Sequence, residues 1–214
     1  MEKIKSKNAV LTGFNKELKI ENVILPKPKF GEVLVKVFYS GICRSQIMEI
    51  KGYRDTKKWL PHLLGHEGSG VVVDIGQGVK KVKKNDAVIL SWIKSNGCES
   101  KGGKIKHKKR YLNYGPITTF GNYTLISENR LIKKPRQMSF KLGALFGCAL
   151  STGCGMVLNE AKIKKNHKVL IYGLGGIGFS ALIMTKSLGT KDITVVDNNN
   201  YKLKIAKKMG VRKF

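Results

Sequence analysis

Val169-Leu170-Ile171-Tyr172-Gly173-Leu174-Gly175-Gly176-Ile177-Gly178 carries an apolar run into a glycine-rich turn, and its surroundings decide how the C-terminal part of the chain is read. Gly173, Gly175 and Gly178 match the spacing G-x-G-x-x-G, a weak signal alone because glycine turns are common. Here an apolar strand over 168–172 enters the turn and an apolar helix over 178–188 leaves it. A second strand over 192–196 ends at Asp197, about 20 residues on, as a dinucleotide-binding turn requires. A further helix over about 199–209 completes a βαβα order, the mark of a parallel doubly wound sheet.

The physical roles are distinct. Gly173 permits the tight turn, Gly175 lets backbone approach a pyrophosphate, and Gly178 lets helix pack on strand. The helix N-terminus around Leu174, Gly176 and Ile177 supplies free amides and partial positive charge. Asp197 is placed to accept hydrogen bonds from ribose hydroxyls and to repel a 2′-phosphate, favouring NAD over NADP; Lys202 works against that preference. The alternative is a plain glycine turn with an incidental aspartate at a strand end.

Upstream the texture differs. Residues 31–39, 71–75 and 86–90 are rich in β-branched and aromatic residues and bounded by turn signals, which predicts a β-rich domain over 1–135. Residues 139–161 read as helical, with Gly143, Ala144, Gly147, Ala149, Gly153 and Gly155 permitting close backbone approach. The expected organisation is therefore a β-rich domain over 1–135, a helical connection over 136–165 and an α/β nucleotide domain over 166–214. The chain stops where a third parallel strand is due, whereas a doubly wound nucleotide domain has about six.

Four cysteines in 214 residues are too few and too unevenly spaced for a disulfide framework, so reduced thiols in a cytoplasmic protein are expected. The uncharged stretches 142–158 and 169–185 fall short of the roughly 18 apolar residues of a membrane helix, and no export signal follows the N-terminus. A net charge of +27 raises the question of nucleic acid. Its lysines are scattered, however, and the one dense cluster, 101–110, lacks interleaved aromatic residues on which bases could stack. A solvated lysine-rich surface is the expectation, with no specific nucleic acid and no membrane as partner.

Leu63-Leu64-Gly65-His66-Glu67-Gly68-Ser69-Gly70 admits two readings: a polar turn between strands, or part of a metal site. Catalytic zinc takes three ligands from His, Cys and carboxylate and keeps one position open. Cys43 and Cys148 qualify by type, although Cys148 alone reads more readily as a small buried hydrophobe than as a ligand.

Four motifs in order resemble the zinc-dependent alcohol dehydrogenases of the medium-chain dehydrogenase/reductase superfamily. They are Gly41-Ile42-Cys43-Arg44-Ser45, Leu64-Gly65-His66-Glu67-Gly68, Phe146-Gly147-Cys148 continuing to Thr152-Gly153, and Gly173 to Gly178. The resemblance implies a GroES-like β-rich domain followed by the first part of a Rossmann doubly wound parallel sheet. It implies that Cys43, His66 and Cys148 hold one catalytic zinc and that Glu67 sits beside it as an occasional fourth ligand. Ser45 then relays the alcohol proton, Arg44 contacts the cofactor pyrophosphate and Thr152 lies near the nicotinamide. The implied activity is hydride transfer between NAD and a small alcohol, sugars and polyols included, with an aldehyde or ketone as product.

The chain departs from the family pattern in several places. Family members often hold a structural zinc with four closely spaced cysteines, but residues 91–119 contain only Cys98, so one zinc is expected and a basic loop in place of the second. Gln46 stands where many relatives carry an aspartate that orients the zinc-bound histidine, a change of the kind that tunes metal affinity, and Met48 where many carry a relay histidine. The resemblance further implies a C-terminally truncated member with little activity alone, whose complete form is a dimer or tetramer. A competing expectation is a non-catalytic protein using the basic loop to bind RNA or an acidic partner.

Overall fold

Strict alternation of side chains builds the first part of the chain. In the computed structural model, which describes residues 4–54 and 56–214, the chain divides into two compact units, Met1–Cys148 and Ala149–Phe214. The strands of the first unit are β1 (Ile4–Leu11), β2 (Lys19–Leu25), β3 (Glu32–Ser40), β4 (His62–Leu63), β5 (Glu67–Ile75), β6 (Ala87–Ser91), β7 (Gly103–His107), β8 (Arg110–Tyr114), β9 (Tyr123–Ser127) and β10 (Leu131–Lys133). They form two sheets, ordered β2-β1-β4-β8-β7 and β10-β6-β5-β3-β9. Helices α1 (Arg44–Ile50) and α2 (Phe140–Leu145) accompany them.

Strand β3 divides its apolar residues between two cores. Leu34 packs with Val10, Val23, Leu112 and Leu125, while Val33 and Val35 pack with Val72, Val88, Leu90 and Ile126. Successive side chains point to opposite faces, so the near-continuous apolar run of β3 marks a strand buried on both sides.

The histidine-containing stretch is only partly a turn. Residues 71–75 were the expected strand, but β5 starts at Glu67, which pairs with Ser91 of β6. Its glycines serve the pairing of the sheet. A Cβ on Gly68 would stand 2.8 Å from the Tyr39 carbonyl, and one on Gly70 would overlap the Lys36 carbonyl, where the β3–β5 register shifts. Gly65, at φ +94°, leaves room for Thr119 and Phe120.

The basic cluster also differs from expectation, since most of it is hairpin rather than loop. Ile105 and His107 point inward while Lys104 and Lys106 point out, and Lys108 takes the left-handed conformation at the turn. The Glu21 carboxylate of β2 accepts from His107 Nε2 at 2.6 Å and from Arg110 Nη2 at 2.5 Å, with Lys108 Nζ 3.6 Å away. Part of the local charge is thus compensated within the fold.

In the second unit α3 (Ala149–Gly155) is followed by β11 (Lys168–Tyr172), α4 (Gly176–Ser187), β12 (Asp192–Val196) and α5 (Asn200–Lys208). β11 and β12 pair in parallel, as the βαβα reading requires. Ile171, Leu174, Leu182, Ile193, Val195 and Ala206 form the core. Gly153 of α3 packs so closely on α4 that a Cβ there would stand 2.5 Å from that of Ser180. Among the described residues no helix is long and apolar enough to cross a membrane.

A Cβ on Gly178 would overlap the backbone carbonyl of Gly173, a group that cannot rotate away. Gly178→Ala is therefore expected to destabilise the second unit by the upper part of the ~1–3 kcal/mol typical of overpacking. Thermal melting followed by circular dichroism checks this, and an unchanged melting temperature contradicts it.

Candidate metal centre

Cys43 lies two residues beyond the Gly41 that follows β3, and immediately before α1; His66 lies immediately before β5; Cys148 ends the first unit beyond α2. Their ligand atoms all lie within 4.8 Å of one another. The neighbouring backbone fixes each approach. Ser91 Oγ donates to the Gly147 carbonyl at 2.9 Å and the Trp92 N–H donates to the same oxygen at 3.2 Å, anchoring the residue before Cys148. On the His66 side, Thr119 Oγ1 donates to the Glu67 carbonyl at 3.0 Å and lies 2.7 Å from Ser40 Oγ.

The imidazole is held by one nitrogen. Its Nδ1 contacts the Gln46 side-chain amide and lies 3.4 Å from Ser45 Oγ. The other nitrogen, Nε2, is buried and has no hydrogen-bond partner among the described residues. A buried polar atom without a partner costs about 1–3 kcal/mol, so an orphan nitrogen on the ring that clusters with two thiols fits a metal ligand set. Burial first, and then the nearby Arg54 charge, hold the His66 pKa below 6.5, so the ring is neutral at pH 7, the form that ligates. Cys43 carries its thiol outside any disulfide.

Glu67 is 2% exposed. A Cβ on Gly41 would overlap its carboxyl oxygen, and one on Gly147 would stand 2.6 Å from its Cβ. The side chain is thus enclosed by the segments leading to Cys43 and Cys148. Gln46 also accepts the Cys43 N–H at 3.2 Å through Oε1. Thr119 was not foreseen, because its partners are distant in sequence; the resemblance already puts Gln46 where relatives orient the zinc-bound histidine, and what the structure adds is its second contact, with the Cys43 N–H. Arg44 opens α1 and is exposed, whereas Ser45 is half-buried.

In the second unit the glycine turn is formed as its spacing requires. Gly173 has φ +89° and its N–H donates to the Val196 carbonyl at 2.7 Å. Gly175, at an ordinary φ of −81°, precedes α4. A Cβ there would meet nothing within 4 Å, so the chain's own packing does not demand a glycine, as befits a place where a phosphate approaches backbone. Leu174 is buried in the core, Gly176 and Ile177 open α4, and Thr152 sits half-buried in α3. Asp197 accepts from Leu174 N at 2.6 Å, Asn199 N at 2.8 Å and Lys202 Nζ at 3.3 Å. The Leu174 N–H foremost holds its carboxyl below the ordinary value, so it is ionised and tied to the turn.

These features define a class in which a β-rich unit bearing a two-thiol, one-imidazole cluster precedes a glycine-turn nucleotide unit. Residues 29–136 match the alcohol dehydrogenase GroES-like domain, half of the chain, and the chain belongs to that family. Its fold is accordingly a GroES-like β-rich domain followed by the first part of a Rossmann parallel sheet. It is 33% identical to S-(hydroxymethyl)glutathione dehydrogenase of Photobacterium damsela subsp. piscicida over 97% of this chain and 63% of that one. Among solved structures, an alcohol dehydrogenase zinc-binding domain protein from Burkholderia ambifaria superposes with TM-score 0.84 at 25% identity, covering 99% of this chain and 64% of its own. Benzyl alcohol dehydrogenase from Acinetobacter calcoaceticus superposes with TM-score 0.82 at 26% identity, covering 98% and 63%. The chain thus spans less than two thirds of each of these relatives.

Proposed function

We propose that the chain carries the zinc-binding and part of the nucleotide-binding machinery of an NAD-dependent oxidoreductase that interconverts an alcohol and its aldehyde or ketone. The observation that carries this reading is the Cys43–His66–Cys148 cluster with its unpartnered histidine nitrogen. Family membership and relatives that are alcohol dehydrogenases support it.

Cys43, His66 and Cys148 would hold one zinc, with residues 1–135 as the zinc-binding domain, 136–165 as the connection carrying the third ligand, and 166–214 for the dinucleotide. Zinc bound there would supply Lewis acidity, favouring the alkoxide in one direction and polarising a carbonyl in the other. Ser45, in the first turn of α1, takes up the alcohol proton at Oγ as its own passes outward; with Met48 one turn on, that proton goes to solvent or cofactor hydroxyls. Glu67 keeps a carboxyl enclosed beside the ligands. Arg44 serves the pyrophosphate, Thr152 the nicotinamide, and the 173–178 turn with Asp197 and Lys202 the adenosine half, the ionised Asp197 favouring NAD over NADP. Sugars and polyols are within the proposed substrate range, and a homo-oligomer is the proposed assembly. The competing reading of a basic RNA-binding protein gains no support, since hairpin charges converge on Glu21.

The test is elemental analysis of the protein purified without added chelator, followed by NAD reduction with an alcohol panel measured on the complete protein. About one zinc per chain and, in the complete protein, zinc-dependent NADH formation are expected. Protein free of zinc that also fails to bind added zinc overturns the proposal.

A further inference from the structure

The Gln46 amide lies between a group that only donates and a nitrogen that must then accept. Gln46 is 4% exposed, and its Oε1 takes the Cys43 N–H at 3.2 Å. A backbone N–H cannot accept, so this contact decides which end of the amide is oxygen. The NH2 end is thereby turned to His66 Nδ1. An amide NH2 only donates, so Nδ1 accepts and the neutral ring carries its hydrogen on Nε2. Ser45 Oγ, at 3.4 Å from Nδ1, is too distant to compete as a strong acceptor.

We propose that Gln46 is a positioning residue that keeps the His66 hydrogen on Nε2, the ring nitrogen left without a partner for ligation, so the cluster binds metal more weakly than its ligands allow. Ligation through Nε2 needs a lone pair there. The hydrogen must then sit on Nδ1, where it opposes the amide NH2. Turning the amide end for end relieves that clash but sets the NH2 against the Cys43 N–H. Either arrangement leaves the buried Gln46 amide facing another donor, and the mismatch opposes metal uptake. A glutamate of the same shape has no such conflict, because both ionised oxygens accept: one from Cys43 N–H, the other from Nδ1–H. The affinity consequence rests on the zinc reading above; the hydrogen placement does not.

Two measurements on the full chain test this. In metal-free protein at pH 7.5, long-range 15N–1H NMR of the His66 ring is expected to place the hydrogen on Nε2 in the wild type and on Nδ1 in Gln46→Glu. In competition with a chromophoric chelator, Gln46→Glu is expected to hold zinc at least about tenfold more tightly, the scale on which partners of ligating histidines act. A wild-type hydrogen on Nδ1 overturns the proposal, and that measurement stands even if the variant does not fold. A folded Gln46→Glu with unchanged or weaker zinc affinity also overturns it. Wild-type protein that binds no zinc would sink the metal reading instead, and the ring measurement would still decide where Gln46 keeps the hydrogen.

Discussion

His66→Ala is expected to reduce zinc content from about one per chain to near zero and to lower alcohol-dependent NAD reduction by the complete protein at least ~10³-fold. Truncation removes one of three ligand atoms clustered within 4.8 Å and leaves two thiols, which cannot close a three-ligand site. A bound metal contributes several kcal/mol of charge stabilisation, and each ~1.4 kcal/mol is tenfold in rate. Cys43→Ser acts on the same unit, so the double variant should be scarcely worse than either single one, whereas independent contributions would multiply. Neither residue belongs to the two apolar clusters of the first unit, so circular dichroism should remain close to wild type. Full zinc content in both variants, by elemental analysis, would discard the cluster as the metal site.

How much of this was legible in the sequence varied with how local the cause was. The glycine turn was readable because strand, turn and helix follow one another within a few residues: β11 and β12 have the expected bounds and α4 begins two residues early. The ligand cluster was not readable from spacing. Cys43, His66 and Cys148 come from three separated segments and only the resemblance joined them. The β7–β8 hairpin was hidden because its outward positions are lysines, which outweigh the inward Ile105 and His107 in any reading by charge. Likewise the glycines of β5 suggested a turn, whereas what they meet are the carbonyls of Lys36 and Tyr39, contacts that exist only once β3 has paired. Gln46 was partly legible: the resemblance aligns it with the aspartate that orients the zinc-bound histidine, whereas its hold on the Cys43 N–H and the donor conflict that follows are visible only in the fold.

Glu128→Ala is expected to have the largest effect on stability, about 3–5 kcal/mol, because one carboxylate satisfies three backbone donors. Glu128 is 1% exposed and follows β9. Its Oε1 accepts from Lys80 N and Lys81 N, both at 2.6 Å, and its Oε2 accepts from Cys98 N at 2.5 Å. These donors belong to the β5–β6 and β6–β7 connections, so a single side chain fastens two otherwise irregular segments. Burial alone would raise its pKa, but the N–H groups of Lys81, Cys98 and Lys80 outweigh burial and hold it below 4.5. A folded-state pKa below the unfolded one stabilises the fold above about pH 4.5, and that contribution disappears as pH falls through the lower value. Wild-type stability in urea should therefore drop as pH falls below about 4.5, while Glu128→Ala, already lacking the contribution, should show a shallower decline. Glu128→Gln keeps the shape but replaces one acceptor with an NH2 that faces a backbone N–H, so it should recover little. With domain stability typically about 5–15 kcal/mol, the alanine variant stands at the margin of folding. A loss under about 1 kcal/mol at pH 7 would mean that water satisfies the three amides once the carboxylate is gone, and that the two connections are held by other contacts.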